Sequence, residues 1–228
     1  MFDATQPSAD EALKGLCAAY LEALPISGAA VSVFGGSLAE TLVCASDETS
    51  VRLDEIQYDL GDGPRWEVIR TQTPVLVPDL QETGDHSWPA FSKAATDIDA
   101  ASLFVFPLLA GGLSVGIVEM YCSSPRELTD AQISLTTYLA SRTAWTLLRR
   151  LMNEGEGGSI EVPLARREIH QATGMVLVQT GSTAAEALLL LRGHAFTSGR
   201  TLRETAADVV GRQLDFTPAA APGVDGLQ

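Results

Sequence analysis

The sequence predicts an α+β domain, an antiparallel sheet with helices, followed by a small all-α three-helix module. Three observations carry this. Strand-like apolar runs come in pairs joined by Gly-rich turns: AAVSVFGG and AETLVCAS around Gly35-Gly36-Ser37, and SLFVFPLLA and LSVGIVEMYC around Gly111-Gly112. Helical periodicity brackets those pairs on both sides, which is the pattern of helices packed on a sheet face. The segment NEGEGGSIEVP then breaks the pattern with Gly155, Gly157, Gly158 and Pro163, and three short helical patterns follow it.

From Ala9 to Leu24, the residues Leu13, Leu16, Cys17, Tyr20, Leu21 and Leu24 fall on one helical face, and Pro25 ends the pattern. The first strand pair follows, then a polar loop. QYDLGDGPRWEVIRTQTPVLVPDL reads as a Gly-rich turn, a short helix carrying Trp66 and Ile69, and a strand at Val75 to Val77. HSWPAFSKAATDID reads as a short helix entered at Ser87. After the second strand pair, Thr129 and Gln132 have the spacing of a capping box and open a long helix ending near Asn153. Its Ile133, Ala140, Ala144, Leu147 and Leu151 approximate a seam for pairing with a second chain. Beyond the glycines, LARREIHQATGMVLVQT puts Ile169, Ala172, Met175 and Val176 on one face and stops at Gly181. Thr183 with Glu186, and Thr201 with Glu204, are two more capping boxes, each opening a helix. The expected organisation is therefore residues 1–8 disordered, 9–150 the α+β domain, 151–163 a linker, 164–214 the helical module and 215–228 a disordered tail.

Charge divides along the same line. The net charge of −14 is carried almost wholly by residues 1–144, with 7 basic and 20 acidic groups; residues 145–228 hold 8 and 9, and all eight bases are arginines. The acidic part should repel phosphate backbones, so a nucleic-acid role is expected in the C-terminal part. Cys17, Cys44 and Cys122 are odd in number and show no paired spacing, so inert thiols in a reducing cytoplasm are expected. Residues 100–118 lack charge over nearly the length of a membrane span, but Pro107, Gly111-Gly112 and Gly116 split the run into a buried hairpin. No export signal and no membrane partner are expected.

The three-helix segment resembles the ANTAR domain, an RNA-binding module named for antitermination. The matching residues are Arg167, Ile169, Gln171-Ala172, Gly174-Met175, Gly181, Glu186-Ala187, Leu191-Arg192, Ala195, Arg200-Thr201-Leu202, Ala206 and Val209-Val210. One departure is Thr173, which stands where that family usually has lysine. The preceding region, densest in QYDLGDGP, VLVPDL, SWPAF and the strands leading to EMYCSSP, resembles the GAF domain found upstream of ANTAR in actinobacterial regulators. A cysteine often follows the GDGP-like turn in such proteins; here the residue is Arg65. The resemblance implies a GAF-like sensor controlling an ANTAR-like module that binds pairs of small RNA hairpins in leader transcripts and so promotes transcription readthrough. Two hairpins imply a homodimer.

Candidate RNA-binding residues are Arg166, Arg167, Arg192, His194, Phe196, Arg200 and Arg203, because arginine forks suit phosphates and base edges and an aromatic ring suits an unpaired base. Tyr58, Trp66, Trp88, Phe91 and Phe104 are the candidate lining of a small-molecule pocket in the first domain; the same rings equally suit a hydrophobic core. His86, Asp85 and Asp79 form a weak acid–base or metal pattern. A Walker-type loop, a nucleophile elbow and an HExxH helix are all missing from the sequence, so no enzyme, no cofactor and no metal are expected. The alternative of a different class is a ligand-binding or protein-interaction regulator without RNA affinity.

Overall fold

The structure, a computed structural model, describes residues 9–35, 38–153 and 164–217. The chain divides into two compact units, Met1–Val162 and Pro163–Gln228. The expected turn at Gly36-Ser37, the linker residues 154–163 and the segments 1–8 and 218–228 lie outside the described residues.

In the first unit a five-stranded antiparallel sheet has the order β2-β1-β5-β4-β3. Its strands are β1 Gly28–Gly35, β2 Leu38–Ala45, β3 Val75–Val77, β4 Ser102–Ala110 and β5 Leu113–Cys122. The charge-free run is the β4–β5 hairpin, paired from Ser102↔Cys122 to Ala110↔Leu113. Pro107 lies beyond Leu103–Val105, the stretch of β4 that β3 pairs, so β4 is an edge strand at that point among the described residues. Side chains alternate across the sheet. Phe104, Phe106, Val118 and Met120 meet helices α1 (Ala9–Ala23) and α6 (Asp130–Asn153) on one face. Leu103, Val105, Ile117 and Tyr121 meet α2 (Glu48–Leu60), α3 (Pro64–Thr71) and α5 (Pro89–Ala94) on the other, with α4 (Leu80–Ser87) beside them.

Three expectations need correction here. The polar loop after β2 is largely the 13-residue helix α2, capped by Asp47, whose side chain accepts from the Ser50 N–H. Its inward face carries Asp54 and Gln57, which hid its period. The helix expected from Ser87 is instead α4 up to Ser87 and α5 from Pro89, broken at Trp88 because Pro89 restricts the residue before it. The α6 seam also fails: Ala140, Ala144 and Leu147 are buried against the sheet, with Ile133 and Leu151 packed at the rim of that core. Solvent meets a different row, Leu135, Tyr138, Arg142, Trp145, Arg149 and Met152, spaced alternately by three and four; its four apolar members are 38%, 58%, 55% and 73% exposed. The Thr129–Gln132 capping box forms as expected, each residue bonding the other's backbone N–H.

The second unit contains α7 (Leu164–Thr180), α8 (Ala184–Ser198) and α9 (Leu202–Val210). Both predicted capping boxes are present, Thr183 with Glu186 and Thr201 with Glu204. Its core is Ile169, Ala172, Val176, Ala187, Leu191, Ala195, Leu202, Ala206 and Val209. Small residues at the crossings allow close helix approach. One residue assigned to the tail is tied to α7, the Phe216 N–H donating to Gln179 Oε1 at 3.1 Å, and beside it Asp215 accepts from the Thr217 N–H within the same segment.

Candidate functional site

The interior of the first unit is organised by a turn. α2 ends at Gly61 in the left-handed region, and Gly63, at φ 124°, begins α3. A Cβ at Gly63 would lie 2.7 Å from the Gln57 side chain, so only glycine lets the chain fold back so tightly. The fold-back inserts Arg65, which is fully buried, behind the sheet. Its Nη1 donates to the Asp54 carbonyl and its Nη2 to Asp54 Oδ1, both at 2.8 Å. Nη2 also lies 2.8 Å from Glu40 Oε1 and 3.5 Å from Glu119 Oε2. Gln57 stitches the cluster, accepting from the Arg65 N–H at 3.0 Å and donating to Glu119 Oε1 at 2.5 Å. Ser32 on β1 donates to Asp54 Oδ1 at 2.7 Å.

One guanidinium thus faces three carboxylates. Burial alone would depress Arg65, but Glu119, Glu40 and Asp54 push its pKa further up, so it is always charged. Burial pushes the Glu119 carboxyl up to about 7 despite the pull of Arg65. Asp54, Gln57, Glu40 and Glu119 were not singled out from sequence; buried polar residues spaced three apart on α2 were the available signal.

The five ring residues proposed to line a pocket do not share one. Tyr58 and Phe91 are buried and Trp66 and Trp88 half-buried on the α2–α5 side, where the Trp66 Nε1–H donates to the Gln57 carbonyl at 2.6 Å and the Phe91 N–H to Asp62 Oδ2. Phe104 is fully buried on the opposite face, beneath α1 and α6. A cavity of about 470 Å³ opens elsewhere, among Leu80, Ser92, Ala95, Ile98, Ala101 and Ser123. His86 is exposed, and Asp79 caps α4 by accepting from the Gln81 and Glu82 N–H groups. Among the described residues no group of three His, Cys, Asp or Glu side chains could hold a metal.

The cysteine expectation is also corrected: Cys17 on α1 and Cys44 on β2 form a disulfide, with Cα atoms 6.2 Å apart. Helix packing across the β1–β2 ladder brings them together, which a sequence separation of 27 residues does not reveal. Cys122 is free and buried, and that burial pushes its thiol pKa up.

In the second unit, the candidate RNA-binding residues have diverse settings. Arg166 is buried rather than presented on a basic face, and beside it His170 is held below its ordinary pKa by burial and by that charge. Arg192 is half-buried. Arg200 is ion-paired and hydrogen-bonded to Asp208, and Arg203 lies 3.9 Å from Glu168. The His194 ring meets Phe216 edge-on at 5.6 Å. Phe196 is 75% exposed and lies outside the core of the module. Arg167 is exposed and makes no ion pair among the described residues; the same holds for Arg212, which sequence reasoning did not select.

A family model described as GAF domain matches residues 6–147, more than half of the chain. The chain belongs to the GAF domain family. A second model, ANTAR domain, matches residues 164–210, the span of α7 to α9. Solved structures similar to the GAF unit include the GAF domain from a phosphoenolpyruvate-protein phosphotransferase of Coxiella burnetii, at 16% identity and TM-score 0.52, covering 65% of this chain and 88% of that one. The GAF domain of the cyanobacteriochrome TePixJ is similar at 19% identity and TM-score 0.51, covering 65% and 98%. These likenesses show the fold. The search of curated proteins gave no match. A GAF domain joined to an ANTAR domain makes this a regulator with a sensor part and an output part. No single helix among the described residues is long and apolar enough to cross a membrane.

Proposed function

We propose that the chain is an RNA-binding transcription antitermination regulator, in which the GAF sensor controls an ANTAR module that binds paired RNA hairpins. The observation that carries this reading is the coincidence of the ANTAR match with a self-contained module of three helices, the second and third opened by capping boxes, packed on a small-residue core. Holding two hairpins would keep their strands out of a terminator stem. Because one module suits one loop, the working species is a homodimer in the cytoplasm, and the exposed α6 row is its pairing surface. The row has heptad spacing, and the Arg142 guanidinium lies 5.8 Å above the Tyr138 ring. A small-molecule ligand of the GAF unit remains the proposed input.

The test is titration of the full chain against a labelled RNA bearing two adjacent small hairpins, beside a scrambled control and at two salt concentrations. Specific binding at two protomers per RNA, weakening steeply with salt, is the expected outcome. Absence of specific binding by both the full chain and the 164–217 fragment would leave the second reading, a protein-interaction regulator. That reading has its own support in exposed Leu189 and Phe196 on α8, at 67% and 75%.

A further inference from the structure

On the surface of the ANTAR unit, two local rules of stable structure are broken, and both breaks face the same groove. α7 carries the exposed Gly174 in its interior, where a Cβ would meet nothing within 4 Å. Packing therefore does not require glycine, which is about 1 kcal/mol worse than alanine inside a helix. After α9, Gly211 takes a right-handed conformation and the next residue, Arg212, takes the left-handed one at φ 58°. Glycine usually fills that post-helical position, since a side chain there is strained. The glycine and the strained arginine are on the two walls of a groove of about 580 Å³.

The groove has the chemistry of a base-binding site. Met175, Val178 and Leu214 supply an apolar surface, and Val178 is 79% exposed despite its size. Gln171 and Arg212 supply donors at the rim, and Asp215 an acceptor. Arg167, Gln171, Gly174 and Val178, spaced by four, three and four, form one exposed row of α7, so a second guanidinium without an ion pair among the described residues extends the same face. By contrast, Arg200 is committed to Asp208 and Arg166 is buried. We propose that this groove between α7 and the 211–215 turn seats an unpaired base of an RNA loop, with Arg212 and Arg167 on its edge or adjoining phosphate. Gly174 is then the point where the nucleotide approaches the helix most closely. The inference rests on the RNA-binding reading and moves its contact surface from Arg192, His194, Phe196, Arg200 and Arg203 to α7 and the 211–215 turn.

Two substitutions separate binding from folding, because each should make the module more stable. Arg212→Gly relieves the left-handed strain and Gly174→Ala improves the helix, so amide hydrogen exchange in α7 and α9 should slow. If the groove holds a base, RNA affinity of the full chain nevertheless falls about tenfold for Arg212→Gly, the loss of one charge-assisted contact. Gly174→Leu, which fills the groove, should abolish specific binding. An abasic substitution in the loop should weaken the parent chain and leave Gly174→Leu unaffected. Wild-type affinity in the groove variants, with loss in Phe196→Ala, would place the base on α8 and overturn the inference alone. No specific binding by the parent chain at low salt would overturn the RNA reading and this inference together. A shift in sedimentation of the groove variants without any change in RNA affinity would make the groove a protein interface instead.

Discussion

Replacing Arg65 with alanine removes one positive charge from a space that also holds the carboxylates of Glu40, Asp54 and Glu119. The guanidinium is fully buried, so water cannot substitute for it without opening the turn at Gly63. Three things are lost: the ion pairs, the donor to the Asp54 carbonyl, and the packed volume behind β5. Breaking a buried ion pair by deleting one partner is destabilising by about 3–5 kcal/mol. That is a large part of the ~5–15 kcal/mol that holds a typical domain folded. Trp66, Trp88 and Trp145 all lie in the GAF unit, so tryptophan fluorescence during urea unfolding reports that unit alone. The expected result is a midpoint shift worth about 4 kcal/mol near neutral pH. The deficit should shrink as pH falls below about 7, where Glu119 takes up a proton. Arg65→Lys should recover only part of the loss, because a point charge cannot replace the planar fork that meets Asp54 twice. A loss of less than about 1 kcal/mol for Arg65→Ala, unchanged with pH, would show that the cluster is not the organising element claimed for it.

Glu119 has a carboxyl raised to about 7 in the folded chain, so the folded state holds the proton more tightly than the unfolded one. The stability this contributes is present below the ordinary carboxylate range and is lost as pH rises to about 7; Glu119→Gln should flatten that slope in the same fluorescence assay. The Cys17–Cys44 disulfide closes a separation of 27 residues, for which the chain-entropy relation gives about 3.5 kcal/mol. A dithiol reductant, or Cys17→Ser, should lower the GAF unfolding midpoint accordingly. Trp145→Glu should convert the proposed dimer to monomer in sedimentation at unchanged GAF stability, since Trp145 is 55% exposed and outside the core. An intact dimer in that variant would remove α6 as the pairing surface.

What was legible in the sequence is what short range determines. Capping boxes need only two residues three apart, and all three at Thr129, Thr183 and Thr201 form. Hairpins need only two apolar runs and a turn, and β4–β5 pairs as read. Amphipathic faces were found wherever the buried side was apolar. α2 was missed because its buried side mixes Leu53 and Ile56 with polar Asp54 and Gln57, which point inward to meet Arg65, Glu119 and Ser32, partners on other elements of the chain. The α6 seam was misjudged for a related reason. Periodicity shows that a helix has an apolar face but does not say whether sheet or solvent receives it, and α6 has apolar residues in both directions. The disulfide and the left-handed Arg212 are products of tertiary packing and backbone conformation, with no spacing rule to announce them.

The pleat of β5 has a consequence for the chemistry on its two sides. Met120 and Cys122 face the greasy layer under α1 and α6, while Glu119, one residue away, faces an ionic layer. That second face is shared between the ionic cluster and the apolar side chains of Ile117 and Tyr121. The β5 backbone is laced to β1 along one edge and to β4 along the other, so it does not yield by itself. The Glu119 carboxylate and the sulfur atoms of Met120 and Cys122 are therefore kept on opposite sides of a strand that is paired along both edges.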